Sequence, residues 1–352
     1  MSMVIAAWLI ALFFAANIGA SGTAASMGAA YGAGAVRKKW IALLLVAVAA
    51  FLGAVIGGGS VVKTIGSGIV PSHVITVEIT VIILGAACLT LFGSNLFGVP
   101  LSTSEVTVGA VVGAGLAMGH VYYAHLLFII AVWLVMPFIA MCIALMLGIL
   151  VRHVEPRLLR QVKGMVPVLI SLLVLAGCYE AFSAGMNNVA NAVGPMVASG
   201  ILSVHAGLYW GALFVSLGAL TLGSKVLDTN AKKITKLSLM QGIVVSFTSA
   251  TLVLVASILG LPVPQTQATT MAIFGVGQSH VGSDIWRQGV VTRILKTWIV
   301  SPVTSLLVSY LLVDILARNQ YTSLFIAVAS VVVAFLYWSM RPHTRRVKVE
   351  EE

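Results

Sequence analysis

Charge is what this sequence has least of. Only 9% of its 352 residues are Asp, Glu, Lys or Arg, against 60% hydrophobic. Folded in water, such a chain would expose large apolar patches, so the solvent to expect is a lipid bilayer. Ten-residue stretches of alternating polarity are missing, which argues against a β-barrel. No Lys or Arg precedes Arg37. The apolar N-terminus therefore lacks the positive region of a signal peptide and reads as a retained first helix. Cysteine is scarce too: Cys88, Cys142 and Cys178 sit singly in apolar runs, without metal or disulfide spacing, and read as packing residues. The seven histidines lie at run ends or in loops, so no metal and no cofactor is expected. An enzyme would need a nucleophile with a base, or a metal cluster, and no Cys or His lies where it could serve.

What is present is a series of apolar runs of the length a spanning helix needs. Crossings are expected at about 3–35 (broken), 40–58, 74–97, 104–119 and 125–151, then 164–200 (broken), 206–223, 238–259, 267–279, 294–315 and 320–340. The fold class is an all-α integral membrane protein of about 11 crossings. The net charge of +10 lies in short loops and a tail instead of one patch, so it reports topology and not nucleic-acid binding. With the N-terminus outside and the C-terminus cytoplasmic, all of the 20 basic residues except Lys63 and Arg318 fall on the cytoplasmic side, as the positive-inside rule requires. That places the chain in a plasma or inner membrane. Trp40, Trp286 and Trp338 flank basic clusters as interfacial anchors.

The chain also repeats itself. GASGTAASMG at 19–28 matches GMNNVANAVG at 185–194, and PLSTSEVTVGAVVGAG at 100–115 matches PVPQTQATTMAIFGVG at 262–277. Val61 and Thr64 match Val226 and Thr229 at nearly the same offset. Three matches in one order imply an internal duplication. Residues 1–160 form the first repeat and 161–318 the second, followed by an additional helix at 319–340 and a charged tail at 341–352. An odd number of crossings per repeat makes the two inverted. Loops at 37–39 and 225–236 then face the cytoplasm, while 60–71 and 203–206 face outward, with Lys63 and Asp228 as loop charges.

Inverted repeats with broken, Gly-rich or Pro-interrupted segments at matching places mark a midplane transport site. Ser21, Gly22 and Thr23 lie in one such segment, and Asn187, Asn188 and Asn191 in its partner. Pro100 precedes Ser102, Thr103 and Ser104, while Pro262 and Pro264 precede Gln265 and Thr266. Proline ahead of a helix leaves first-turn N–H groups free for an anion, and the hydroxyls and amides add donors. Close helix packing alone explains small residues such as those at 19–28 equally well. It does not explain Glu105 and Glu180, carboxylates within apolar runs that need a cavity or a partner.

At these motifs the chain resembles the inorganic phosphate transporter (PiT) family, which carries two Gly-Ala-Asn-Asp-Val-Ala-Asn segments and two Pro-Val-Ser-Thr-Thr-His segments in inverted halves. The likeness spans nearly the whole chain and is best at Asn187–Pro195 and Pro100–Ser104. The family's motif aspartates fall on Gly22 and Asn188 and its histidines on Glu105 and Gln267, while Pro264 and Gln265 replace a Ser-Thr pair. This pattern resembles the family's sulfate permease branch and implies proton coupling in place of sodium. Physical chemistry agrees, because phosphate near neutral pH can donate a proton to a buried carboxylate and sulfate cannot. Losing both aspartates suits sulfate.

The expected function is therefore import of inorganic sulfate, or a related tetrahedral oxyanion, in symport with a proton. Ser21, Gly22, Thr23, Ser102, Thr103, Ser104, Asn187, Asn188, Asn191, Gln265 and Thr266 are the expected binding residues. Glu105 is the expected proton carrier, with Glu180 as the alternative. Expected partners are sulfate, a proton and the lipid bilayer, with a homodimer left open. A phosphate permease is the alternative within transport, and a passive anion channel the alternative outside it.

Overall fold

The computed structural model describes residues 1–96, 101–234, 237–281 and 290–320. Pro100, Trp286 and Trp338, the helix expected at 320–340 and the tail lie outside them. Among the described residues the regular structure is entirely helical. The elements are α1 (Ser2–Ile18), α2 (Gly28–Gly32), α3 (Lys39–Gly57), α4 (Gly59–Lys63), α5 (Val77–Leu96), α6 (Thr103–Met118), α7 (Tyr123–Gln161), α8 (Met165–Ala198), α9 (Val204–Leu222), α10 (Ser224–Ile234), α11 (Leu239–Ile258), α12 (Gln265–Val281) and α13 (Val290–Leu312). Seven helical stretches among these residues are long and apolar enough to cross a membrane. At about 1.5 Å per residue, α8 with 34 residues exceeds the roughly 30 Å hydrocarbon layer, whereas α6 with 16 residues falls short of it.

Several expectations need correction. The second broken crossing is continuous: α8 runs unbroken through Asn187, Asn188 and Asn191. Its asparagines bond across to other elements instead of capping their own helix, so nothing local stops it. In the first expected broken crossing the break is present, since α1 passes into a π-helical turn at Gly19–Thr23 and the chain resumes as α2. The outward loop expected at 60–71 is also helical, with α4 followed by a π-turn at Thr64–Gly68. Val61, Val62, Ile65 and Ile69 within it are fully buried, and Gly66 lies under the Gly194 carbonyl of α8.

The turns gather at two ends. At one, Lys39 Nζ meets Asp228 Oδ2 at 2.6 Å, Arg152 donates to the Ser279 carbonyl, and Glu155 accepts from Ser238 and Met240. Asp228 is thus a paired charge on α10, which is helical where a loop is expected at 225–236. At the other end the Tyr122 N–H donates to the Ile69 carbonyl and Arg318 to the Ala117 carbonyl.

Packing between the two halves is reciprocal. A Cβ on Gly53 of α3 would collide with the Phe182 carbonyl of α8, and one on Gly185 with the Ala50 carbonyl of α3. Gly218 of α9 faces the Ala16 carbonyl of α1 in the same way, and Gly19 faces the Val215 carbonyl of α9. Helices approach this closely only where side chains are absent. Likewise Gly113 of α6 lies under the Leu306 carbonyl of α13, and Gly275 of α12 under the Met141 carbonyl of α7.

Candidate functional site

The N-termini of α6 and α12 meet inside the protein. Ser102 caps α6, its hydroxyl accepting the Glu105 N–H at 3.4 Å. Pro262, Val263 and Pro264 lead into α12, and Trp133 of α7 pins that lead-in by donating to the Pro262 carbonyl at 2.7 Å. The third residue of each helix joins them: Gln267 Nε2 donates to Glu105 Oε1. First-turn N–H groups have no carbonyl in their own helix. Two positive helix ends therefore converge on one place.

Asparagines of α8 fill the space beside them. Thr103 Oγ1 donates to Asn188 Oδ1 at 3.2 Å and Ser104 Oγ to Asn187 Oδ1 at 3.1 Å. Asn191 Nδ2 lies 3.4 Å from Thr103 Oγ1 and 3.3 Å from Ser104 Oγ. Asn187 is the hub, donating to Ser257 Oγ at 2.9 Å and the Leu261 carbonyl at 3.2 Å while accepting the Val263 N–H at 3.3 Å. Pro195 lacks the N–H that would cap the Asn191 carbonyl within α8. All of Ser102, Thr103, Ser104, Asn187, Asn188 and Asn191 are buried. Asn191 Oδ1, Gln265 Oε1 and Gln267 Oε1 have no hydrogen-bond partner.

The two carboxylates lie on opposite sides of the first turns of α12. Glu105 is 2% exposed and Glu180 is 4% exposed, so both are shut away from bulk solvent. Glu180 accepts from Thr269 Oγ1 at 2.8 Å, and Gln265 donates to its carbonyl. Positions 267 and 269 differ by about 200° around a helix. No described ion pair involves either carboxylate; their partners are amides and hydroxyls.

Three of the four expected segments thus come together, and one does not. Ser21 spends its hydroxyl on the Ile18 carbonyl at 3.2 Å. Thr23 is fully buried but its Oγ1 has no partner, and a Cβ on Gly22 would meet open space. No described hydrogen bond joins this turn to the network. Thr266 is exposed. Sequence reasoning missed Ser257, the Leu261 carbonyl, the Val263 N–H and Thr269. Only Thr269 had a signal, lying one turn beyond Gln265 on α12.

The phosphate transporter family matches residues 18–171 and 167–309. The chain belongs to this family of membrane transporters. It is 52% identical over 332 residues, 94% of this chain and 93% of the other, to the sulfate permease CysP of Bacillus subtilis. The solved structure of a sodium-dependent phosphate transporter superposes with a TM-score of 0.75 at 28% identity, covering 88% of this chain and 98% of that one. The chain is accordingly an all-helical, multi-pass membrane transporter.

Proposed function

We propose that this protein imports sulfate, or a related tetrahedral oxyanion, in symport with a proton. The observation that carries the reading is the convergence of two helix N-termini on a cluster of neutral donors. Such a place suits an anion stripped of water and held by N–H groups, hydroxyls and amides. The 52% identity to a sulfate permease favours sulfate over phosphate, as does the absence of a carboxylate at Gly22 and Asn188 to take a phosphate proton. Glu105 serves as proton carrier, because burial among neutral partners makes its charged form expensive. A neighbouring dianion adds to that cost, so sulfate and proton bind together, each tightening the other.

The two halves, 1–160 and 161–318, are inverted in this proposal, with the N-terminus outside. Support comes from the reciprocal packing. The repeat pairs Gly19 with Gly185, Gly53 with Gly218, Ala16 with Phe182 and Ala50 with Val215, so the α1–α9 and α3–α8 contacts are one contact made twice. Gly113 and Gly275, with Leu306 and Met141, form a second such pair. Single-cysteine labelling tests the orientation: 37–39 should react from the cytoplasmic side and 203–206 from outside, and labelling of both from one side refutes it.

Transport is tested with labelled sulfate and phosphate in proteoliposomes. Sulfate should accumulate on an inwardly directed proton gradient without sodium. Dependence on sodium, or a preference for phosphate, overturns the reading. Sulfate flux that leaves protons behind makes the protein a channel.

A further inference from the structure

α13 carries Ser301, Ser305 and Ser309, one turn apart and therefore on one face. All three are fully buried, and none of the hydroxyls has a hydrogen-bond partner. Buried serine on a helix commonly bonds back to the carbonyl one turn earlier, as Ser183 and Ser257 do here. The α13 serines do not. Close packing alone does not call for hydroxyls there either. The repeat alignment that pairs Pro302 with Pro137 and Leu306 with Met141 sets the three serines against Met136, Ala140 and Ala144 of α7, all buried and apolar. At these positions the seam is apolar in α7 and carries hydroxyls in α13.

The seam has two defined ends. α6 runs parallel to α13, with Gly109 against Pro302 and Gly113 against Leu306. At the inner end Ser301 lies beside the Glu105 carboxylate without meeting hydrogen-bond geometry, and Thr107 of α6 is a further buried hydroxyl without a partner. At the outer end a π-turn, Val313–Ala317, follows α13. It carries buried Asp314, paired at 3.1 Å with Arg318, whose side chain is 39% exposed. Arg318 also bonds the Ala117 carbonyl near the end of α6. Other charged groups on the packed elements are few. Glu180 is engaged by Thr269, α5 contributes Glu78 in its first turn, and Arg293 and Lys296 precede the serines on α13 with side chains outside the described residues.

Successive hydroxyls rise by about 6 Å along the helix axis. That is too far for a direct bond, and close to two hydrogen bonds of about 2.8 Å through one water. We infer that the α6–α13 seam is a hydrated path that delivers protons from the Asp314–Arg318 end to Glu105. The inference rests on the reading of Glu105 as proton carrier. A proton enters at the outer end, one leaves the last water onto Glu105, and no covalent bond other than O–H changes.

The test is Ser305→Ala with Ser309→Ala, which gives this seam the residues its counterpart in α7 already has. In proteoliposomes, proton-driven sulfate accumulation should slow by about tenfold, the rate equivalent of one lost hydrogen bond. Sulfate-for-sulfate counterflow at equal pH should be unchanged, and Ser305→Thr with Ser309→Thr, which keeps the hydroxyls, should restore accumulation. Normal accumulation in the alanine variant, or an equal loss of counterflow, overturns the path. Glu105→Gln is run alongside. Should it accumulate sulfate normally, the coupling role falls and the path with it; should it fail while the alanine variant works, only the path falls.

Discussion

The segments Gly19–Thr23 and Gly185–Val189 occupy matching places in the two proposed repeats and pack against their neighbours alike, yet they differ in chemistry. In the first the helix widens into a π-turn, with the Ser21 hydroxyl turned back on its own backbone and Thr23 Oγ1 without a partner. In the second the helix runs unbroken, and Asn187 reaches α6, α11 and the lead-in to α12. The same split divides α6, which offers Ser102, Thr103, Ser104 and a carboxylate, from α12, which offers Gln265 and Gln267. On the proposed duplication, the backbone contacts are held in common while the polar groups differ.

Exchanging roles across the repeats should break this comparison most completely. Glu105→Gln is expected to abolish accumulation of sulfate on a pH gradient, while equilibrium binding persists with little dependence on pH and counterflow continues. Adding Gln267→Glu to it should recover part of the accumulation if only the presence of one carboxylate between α6 and α12 matters. No recovery would assign coupling to the α6 side alone.

The shared packing should respond alike in both halves. Gly185→Val and Gly218→Val each drive a side chain into a neighbouring backbone, and each should cost about 3 kcal/mol or more, read as a fall in thermal stability in detergent. A large loss in one and none in the other would show that the reciprocal contacts are not equivalent.

Smaller effects should separate the two motif copies. Asn187→Ala should weaken sulfate binding by about 1–3 kcal/mol, since a buried hub then leaves several groups unpaired. Ser21→Ala, outside the network, should leave the affinity within about twofold, well under 1 kcal/mol. A comparable loss at Ser21 would bring the first-copy segment into the site. Smallest of all, Lys39→Met removes a solvent-accessible pair with Asp228 and should hardly move the melting temperature.

The helix starts were legible because their signals are local. Pro100 and Pro262 point to helices beginning at about 104 and 267, and α6 begins at Thr103 and α12 at Gln265. The asparagines at 187, 188 and 191 stood out because amides are rare in apolar runs. What stayed hidden depends on distant segments. Nothing near Ser257 or Leu261 says that Asn187 will bond both, because those partners arrive with the turn between α11 and α12. The burial of Val61, Val62, Ile65 and Ile69 was likewise hidden, since Gly66, which looks like a loop residue, admits α8. The continuity of α8 depended on the same kind of information, supplied by neighbours and not by its own residues.

Only Val162 to Gly164 separates α7 from α8, and Gly164 turns the chain with a φ of 83°. The close contacts that join α1 to α9, α3 to α8, α6 to α13 and α7 to α12 all run between the two halves. Cutting the polypeptide at this link would sever one covalent connection and leave each of those seams in place. The protein is in this sense two interlocked chains that share a single reading frame, and the halves made as separate polypeptides carry between them every surface needed to clasp one another again.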